Sequence, residues 1–140
     1  MKFLLDTDTC IYALKQDKRV IAQLLATPRE DVAVSVITEA ELRTGAAKSS
    51  AASKTQRLVE NFLSPMARVD FTSGDAVAYA AVRSKLERAG TPIGPLDTLI
   101  AAQALARKLI LVSNNEREFR RVSGLTVENW SHPSRGEHRG

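Results

Sequence analysis

The sequence predicts an α/β fold in which a central, mostly parallel sheet of four or five strands is covered by helices on both sides. Short apolar runs alternate along the chain with segments of helical periodicity, as the strands and crossover helices of a parallel sheet do. The runs are too apolar to leave one face in water, which indicates strands that are buried on both faces. A chain of 140 residues is long enough for one such domain.

Each predicted element follows from local periodicity and from the residues at its ends. The predicted strands are apolar runs at residues 2–6, 32–36, 67–71 and 109–113, with a possible edge strand at 125–128. The predicted helices are residues 9–16, 18–26, 38–48, 53–63, 74–88, 95–108 and 116–122. Pro28 and Pro65 stop the second and fourth helices, Gly90 ends the fifth, and Pro95 begins the sixth.

The domain is expected to span residues 1–130, and the polar residues 131–140 are expected to form a disordered tail. The single cysteine, Cys10, lies in an apolar helical pattern and is expected to be buried in a protein from a reducing compartment. No apolar run approaches the ~20 residues that span a bilayer, and no cleavable signal follows Met1. These features predict a cytoplasmic location and no membrane partner.

Acidic and polar residues follow four short apolar runs, three of which are predicted strands. Asp6 and Asp8 follow the first run, Glu41 comes after the second, Asp97 comes after Pro95-Leu96, and Asn115 follows the last. The carboxyl ends of parallel strands share one edge of a sheet, where gathered carboxylates repel one another unless a cation lies between them. Carboxylate ligands without Cys or His favour Mg²⁺, with Mn²⁺ as a substitute. The pattern therefore predicts a metal site of Asp6, Glu41 and Asp97.

Most of these acids also have a purely structural interpretation. Thr38 and Glu41 have the spacing of a capping box, in which each side chain satisfies a backbone N–H at a helix start. Asp8 could be the N-cap of the first helix, and Asp97 is well placed against the dipole of its helix. Asp6 is harder to explain, because a carboxylate that closes an apolar strand is costly unless it is paired or bound to metal.

The formal net charge is +4, from 20 Lys and Arg against 16 Asp and Glu. If the acids gather at one edge, basic residues cover the rest of the surface, which suits a polyanionic partner such as a nucleic acid. A solvated surface explains the same charge equally well.

Four segments resemble, in order and spacing, the motifs of PIN domain nucleases, and more closely those of VapC, the toxin of bacterial VapBC toxin–antitoxin pairs. These segments are residues 3–11, 35–45, 90–97 and 112–119. The resemblance implies a PIN-like three-layer α/β/α fold. It also implies metal-dependent endoribonuclease activity, with Asp6, Glu41 and Asp97 in the acidic positions.

Two positions depart from the family pattern. Asp8 stands where relatives commonly have Asn, which adds a charge near the metal. Asn115 stands where many PIN domains have a fourth acid, which weakens the case for a second tightly held metal. Asn115 could still bond to water at the site, and Glu116 or Glu118 could supply the acid.

The expected reaction is hydrolysis of a phosphodiester in RNA. Asp6 and Asp97 would hold Mg²⁺, which would polarise a phosphoryl oxygen and activate water. Glu41 or Asp8 would orient that water or accept its proton. Two basic residues close to the motifs, Arg43 and Arg117, are candidates for contacts with the flanking phosphates.

The resemblance also implies partners. The substrate would be RNA, for example a tRNA, whose cleavage arrests translation and growth. A VapB-like antitoxin would neutralise the protein, and a homodimer would form within the toxin–antitoxin complex. The helices around residues 20–25 and 51–63 offer apolar faces for such contacts.

Two other functions are open. The segment from Leu4 to Thr9 also resembles the Asp-x-Asp loop of haloacid dehalogenase-type phosphatases, although residues 113–115 lack the acids that those enzymes need. The second alternative function is that of a catalytically weak PIN-like module that only binds RNA or protein. This alternative is open because Asn115 weakens the site.

Overall fold

The structure is a computed structural model that describes residues 1–131. Its strands are β1 (Phe3–Leu5), β2 (Val32–Ser35), β3 (Ala67–Val69), β4 (Ile110–Val112) and β5 (Val127–Glu128). Its helices are α1 (Thr7–Leu14), α2 (Lys18–Ala26), α3 (Val36–Lys48), α4 (Ala52–Leu63), α5 (Ser73–Arg88), α6 (Pro95–Arg107) and α7 (Glu116–Phe119). A short 3-10 helix at Arg29–Asp31 leads into β2.

The five strands form one sheet in the order β3-β2-β1-β4-β5. Every neighbouring pair is parallel, and Phe3 in β1 lies opposite Val32 in β2 and Ile110 in β4. The predicted parallel sheet is confirmed, and the possible edge strand forms as the two-residue β5. The chain proceeds from β1 toward β3 and then returns to the other side of β1. The topological switch therefore lies between β1 and β4, where ligands of open α/β sheets bind.

Alternate side chains of the strands enter two separate cores. Phe3 and Leu5 pack with α1 to α4, whereas Leu4 packs with α5 to α7 on the opposite face. This alternation follows from the two-residue repeat of a strand. Helices on both faces complete the predicted three-layer α/β/α fold. At the end of the described chain, the Trp130 ring packs against the Phe3 ring with centroids 5.2 Å apart.

Two helices begin directly where a strand ends, which corrects two predicted caps. Asp6 is the N-cap of α1 and accepts from the Thr9 N–H at 2.8 Å, so Asp8 is inside the helix and is not its cap. Ser35 caps α3 and accepts from the Ile37 N–H, so the predicted capping box of Thr38 and Glu41 is wrong. Because no loop intervenes, a polar residue that closes the strand also begins the helix.

The apolar faces predicted for intermolecular contacts pack mostly inside the chain. Val20, Val59 and Leu63 are buried in the core between the sheet and helices α1 to α4. Leu25 and Leu58 remain exposed on these helices. Cys10 is buried, as predicted.

Of the predicted tail, only Ser131 belongs to the described residues. It is buried, and its N–H donates to Asn129 Oδ1 at 2.9 Å. Residues 132–140 lie outside the described part, including His132 and His138. Within residues 1–131, no helix has the length and apolarity that crossing a membrane requires.

Candidate active site

Asp6 lies at the carboxyl end of the central strand and is almost fully buried, with 3% of its surface exposed. Burial raises its pKa from 3.8 to about 6, against hydrogen bonds from Ser113 and Thr9, and nearby Asp8 raises it further. The hydroxyl of Thr9 meanwhile donates to the Val112 carbonyl at 3.0 Å, which ties the start of α1 to β4. The result is a fixed carboxylate with little compensating positive charge.

Asp97 lies in the first turn of α6, which begins at Pro95 after the N-cap Gly94. Burial raises the pKa of Asp97 from 3.8 to about 7, and the charges of Glu118, Asp6, Asp8 and Glu41 raise it further, in that order. The order identifies Glu118 as the acid with the strongest effect on Asp97. Five carboxyl groups therefore share one electrostatic environment at the β1–β4 switch point.

Glu41 enters this environment from α3 and is positioned by α1. The hydroxyl of Thr7 donates to Glu41 Oε1 at 2.6 Å and lies 3.2 Å from Thr38 Oγ1. Since α1 follows β1 directly, Thr7 is held beside Asp6, and its hydrogen bond draws the α3 carboxylate toward the end of β1. The Glu41 side chain is thus oriented by the Thr7 hydroxyl of another helix, and not by a backbone N–H at the start of its own helix.

The short helix α7 brings Glu118, and not Glu116, to the other acids. Glu118 accepts hydrogen bonds from the Gly94 N–H, at 3.2 Å, and from the Asn115 side-chain amide. Glu116 instead accepts from Arg120 and from the Asn129 amide, at 3.3 and 3.1 Å. Asn115 therefore contacts the acidic cluster through Glu118. Of the two glutamates that the sequence left open, Glu118 is the one that lies beside the other acids.

The donor chemistry of this cluster fits a hard divalent cation. All of its charged ligating atoms are carboxylate oxygens, and the pKa values of Asp6 and Asp97 are raised largely by burial and by the other acids. A bound cation would offset both effects. Across residues 1–131, however, no three acidic, His or Cys side chains are yet close enough together to hold a metal. Binding would require rotation of side chains toward the cation.

The two basic residues predicted near phosphates lie in different settings. Arg43 donates to Glu39 Oε2 at 2.8 Å and to Glu60 Oε2 at 3.0 Å, so two carboxylates already occupy its guanidinium group. Arg117 is exposed on α7, one residue before Glu118. The exposed guanidinium of Arg117 is therefore better placed to contact a phosphate than that of Arg43, which joins α3 to α4.

Comparison with known proteins identifies the family. The family model described as PIN domain matches residues 3–125. The "tRNA(fMet)-specific endonuclease VapC" of Salmonella typhimurium is 38% identical over 130 residues, which cover 93% of this chain and 98% of that protein. The chain belongs to the VapC family of PIN domain ribonucleases.

Solved structures of the family have the same fold. DNA-bound VapBC from Salmonella typhimurium matches with a TM-score of 0.89 and 37% identity, covering 93% of this chain and 98% of that chain. VapBC2 from Rickettsia felis, bound to a DNA fragment from its promoter, matches with a TM-score of 0.87 and 35% identity, covering 93% and 99%. Membership of this nuclease family excludes the haloacid dehalogenase alternative.

Sequence reasoning missed two residues of the cluster in this VapC-family chain. Thr7 orients Glu41, and Ser113 hydrogen-bonds Asp6. Both residues lie inside the segments that carry the family resemblance, directly beside the end of a predicted strand. Their position could have identified them, because short hydroxyl side chains at strand ends are well placed to donate hydrogen bonds to buried carboxylates.

Proposed function

We propose that this chain is a divalent-metal-dependent endoribonuclease that uses Mg²⁺, or Mn²⁺ in its place, at the acidic cluster. Asp6, Asp97 and Glu41 would form the metal site, Asp6 and Asp97 as direct ligands and Glu41 through the water that it orients, and Glu118 would supply the fourth acid that Asn115 lacks. The single observation that carries the proposal is the convergence of four other carboxyl groups on Asp97, whose pKa is raised to about 7. A cluster with so little positive charge is suited to a cation.

Each residue has a defined task in the proposed hydrolysis. Asp6, fixed by the Thr9 N–H, and Asp97, at the start of α6, would bind the cation as carboxylates. When bound, the cation would polarise the scissile phosphate and lower the pKa of water. Glu41, held by Thr7, would orient the attacking water and accept its proton. Asp8 is exposed in the first turn of α1 and would add negative charge without being a ligand.

Glu118 favours an active enzyme over a catalytically weak binding module. The weak-module alternative depends on the missing acid at position 115. Glu118 lies in the same turn and is the acid that most strongly affects Asp97. The loss of an acid at Asn115 is therefore compensated three residues later.

The proposed substrate is a structured RNA of the initiator tRNA type, since a relative at 38% identity is named a tRNA(fMet)-specific endonuclease. The test is incubation of the purified protein with total cellular RNA, with Mg²⁺ or with EDTA, followed by mapping of the cut ends. We expect one dominant cut site in the Mg²⁺ reaction and none with EDTA. Equal cleavage in EDTA would refute the metal requirement, and cuts spread over many RNAs would refute the tRNA assignment.

A VapB-like antitoxin is proposed as the natural inhibitor, because solved structures with the same fold include VapBC complexes. An arginine from such a partner would satisfy the clustered carboxylates much as a metal does. Expression of this chain alone should arrest growth, and co-expression of the small gene encoded beside it should restore growth. Harmless expression of protein that is active in vitro would contradict the toxin role. The homodimer and the cytoplasmic location stay predictions.

A further inference from the structure

Two neighbouring cavities lie along α5, beside the loop that leads into Asp97. The first encloses about 180 Å³ and is lined by Tyr79, Arg83, Pro92, Ile93 and Pro95, among others. The second encloses about 210 Å³ and is lined by Lys85 and Arg121, among others. Leu86 lines both, so the two cavities lie side by side, and together they are called the track.

The side chains of this track combine an aromatic ring with basic groups. The Arg83 guanidinium lies 6.0 Å from the centroid of the Tyr79 ring, and its Nη1 donates to the Tyr79 hydroxyl at 3.1 Å. Arg121 Nη1, from the second cavity, donates to the carbonyl of Pro92 at 3.1 Å, which brings a second guanidinium to the loop that lines the first cavity. Rings that stack bases and cations that bind phosphates are the two components of single-strand recognition.

One carboxylate opposes this charge without cancelling it. Glu87 also lines the first cavity and pairs with Arg83 Nε at 2.9 Å. Both side chains are more than half exposed, so this pair contributes little and can exchange for a phosphate contact. Arg83, Lys85 and Arg121 leave the track with a positive balance.

The track is connected directly to the acidic cluster. Ile93 and Pro95 line the first cavity, and Gly94 between them donates its N–H to Glu118. Thr98 also lines that cavity and is the residue after Asp97. The same loop therefore borders the cavity and contacts the acid Glu118, which places the first cavity next to the acidic cluster.

We propose that this track binds a nucleotide of the RNA substrate that flanks the cut phosphate, with its base against Tyr79 and its phosphates at Arg83, Lys85 and Arg121. The proposal rests on the ribonuclease function proposed above and adds a subsite to it. Tyr79 would hold the strand in register with the acids. These residues would then determine affinity and choice of sequence context, while the acids perform the chemistry.

The experiment measures the affinity of an Asp6→Asn parent protein for fluorescently labelled initiator tRNA at several salt concentrations. Tyr79→Leu, which removes the aromatic face, should weaken binding by at least about 5-fold. Tyr79→Phe, which removes only the hydroxyl, should stay within about 2-fold of the parent. Arg83→Gln should weaken binding and reduce the salt slope by about one unit.

Arg88→Gln is the matched control, because it removes the same charge from the same helix and Arg88 lies outside both cavities. It should change the affinity by less than about 2-fold. In the active protein, Tyr79→Leu should raise KM and leave kcat nearly unchanged, a split that a loss of fold would not produce. Unchanged thermal melting of each variant completes the control.

The outcomes separate this proposal from the one it rests on. Equal affinity of the Tyr79→Leu, Arg83→Gln and Arg88→Gln proteins would overturn the track even if the active protein cleaves RNA. If those variants lost affinity only for the antitoxin, the cavities would belong to a protein interface instead. If the protein that retains Asp6 cleaved no RNA, the ribonuclease function would be refuted, while the affinity series would still decide the subsite. No binding by the parent would overturn both.

Discussion

Asp6 and Asp75 are two almost fully buried carboxylates, with 3% and 2% of their surfaces exposed, and they have opposite properties. The pKa of Asp6 is raised to about 6, chiefly by burial, which its hydrogen bonds do not offset. Burial also acts to raise the pKa of Asp75, but hydrogen bonds from Thr72, Arg107 and Gln103 hold it below the usual value. Burial alone therefore does not decide the state of a carboxylate.

The surroundings of Asp75 are those of a structural ion pair. Its carboxylate accepts from the Thr72 N–H at 2.9 Å, which completes the capping box of α5. It also accepts from Arg107 Nη2 at 3.0 Å and from Gln103 Nε2 at 3.4 Å. These contacts join the start of α5 to the last turns of α6, so the charge of Asp75 is used to hold two helices together.

Among residues 1–131, no Arg or Lys bonds to Asp6, and the charge that acts on its pKa is that of Asp8. A fold that was selected only for stability would pair this carboxylate or replace it. We therefore expect the acids at the β1–β4 edge to serve binding and the contacts of Asp75 to serve the fold. Substitutions at the two sites should therefore separate activity from stability.

The largest expected effect is on activity. Asp97→Asn should lower the rate of RNA cleavage by about 10²–10⁴-fold, because it removes a proposed metal ligand. Its melting temperature should stay equal to that of the parent or rise, since the substitution relieves repulsion among the acids. Single-turnover cleavage and thermal unfolding measure the two quantities. A variant that cleaves at near the parental rate would disprove the metal assignment.

Asp6→Asn is the companion of that experiment. Asn is as good an N-cap as Asp, so the start of α1 should be preserved. Loss of activity together with a lower melting temperature would show that Asp6 acts mainly as a structural cap.

At the contrasting site, Asp75→Asn should lower the free energy of unfolding by about 2–3 kcal/mol. It leaves Arg107 without its carboxylate in a part-buried position, and the partial exposure of Arg107 keeps the loss below that of a fully buried pair. The cleavage rate per folded molecule should not change. Urea unfolding and active-site titration test this, and a large fall in rate at constant folded fraction would contradict the structural role.

The sequence was sufficient to predict the fold and to name four of the five clustered acids, Asp6, Asp8, Glu41 and Asp97, whose roles stay predictions. The order of elements follows from periodicity. Asp6 stands out because a carboxylate at the end of an apolar strand is costly, and Asp97 because it follows the apolar pair Pro95-Leu96. The exact cap of α1 was mistaken because Asp6 and Asp8 both precede helical residues. Only the three-dimensional path shows that Asp6 is the one that reaches the Thr9 N–H.

Contacts between distant segments could not be predicted from the sequence. Asp75 and Arg107 are separated by 32 residues, and no local pattern pairs them. Glu118 could not be chosen over Glu116 from the sequence, because both lie in α7, a helix of only four residues. The Gly94 N–H, supplied by a loop elsewhere in the chain, determines which of them faces Asp97.

A third experiment contrasts the two sites by pH. Asp6 and Asp97 have pKa values raised from 3.8 to about 6 and about 7, so their contribution to stability is complete below pH 3.8 and is lost as the pH rises through those values. Asp75, whose pKa is lowered, contributes above pH 3.8 and loses that contribution as the pH falls further. The metal-free protein should therefore be less stable at pH 7.5 than at pH 5.

For Asp6 this loss amounts to at most about 3 kcal/mol, and for the more exposed Asp97 it should be smaller. Unfolding in EDTA across this pH range measures it, with Asp6→Asn as the control that should flatten the upper slope. Added Mg²⁺ should restore stability at high pH, because it binds the ionised form and releases protons. A metal-free protein whose stability rises steadily from pH 5 to 7.5 would contradict the arrangement of the acids.

The smallest expected effect concerns Asn115, where the acidic cluster departs from the family pattern. Asn115→Asp replaces the amide that donates to Glu118 by a carboxylate, so it adds negative charge and removes a hydrogen bond at the same place. An extra carboxylate favours a second divalent cation ~3.5–4 Å from the first, and we expect a several-fold higher affinity for a second Mn²⁺. Calorimetric titration of both proteins measures the affinity and the stoichiometry.

Glu118→Gln is the matched control, because it removes one charge beside Asp97 and should weaken Mn²⁺ binding. If Asn115→Asp changes neither quantity while Glu118→Gln does, then Glu118 alone completes the site, and position 115 serves only to orient it.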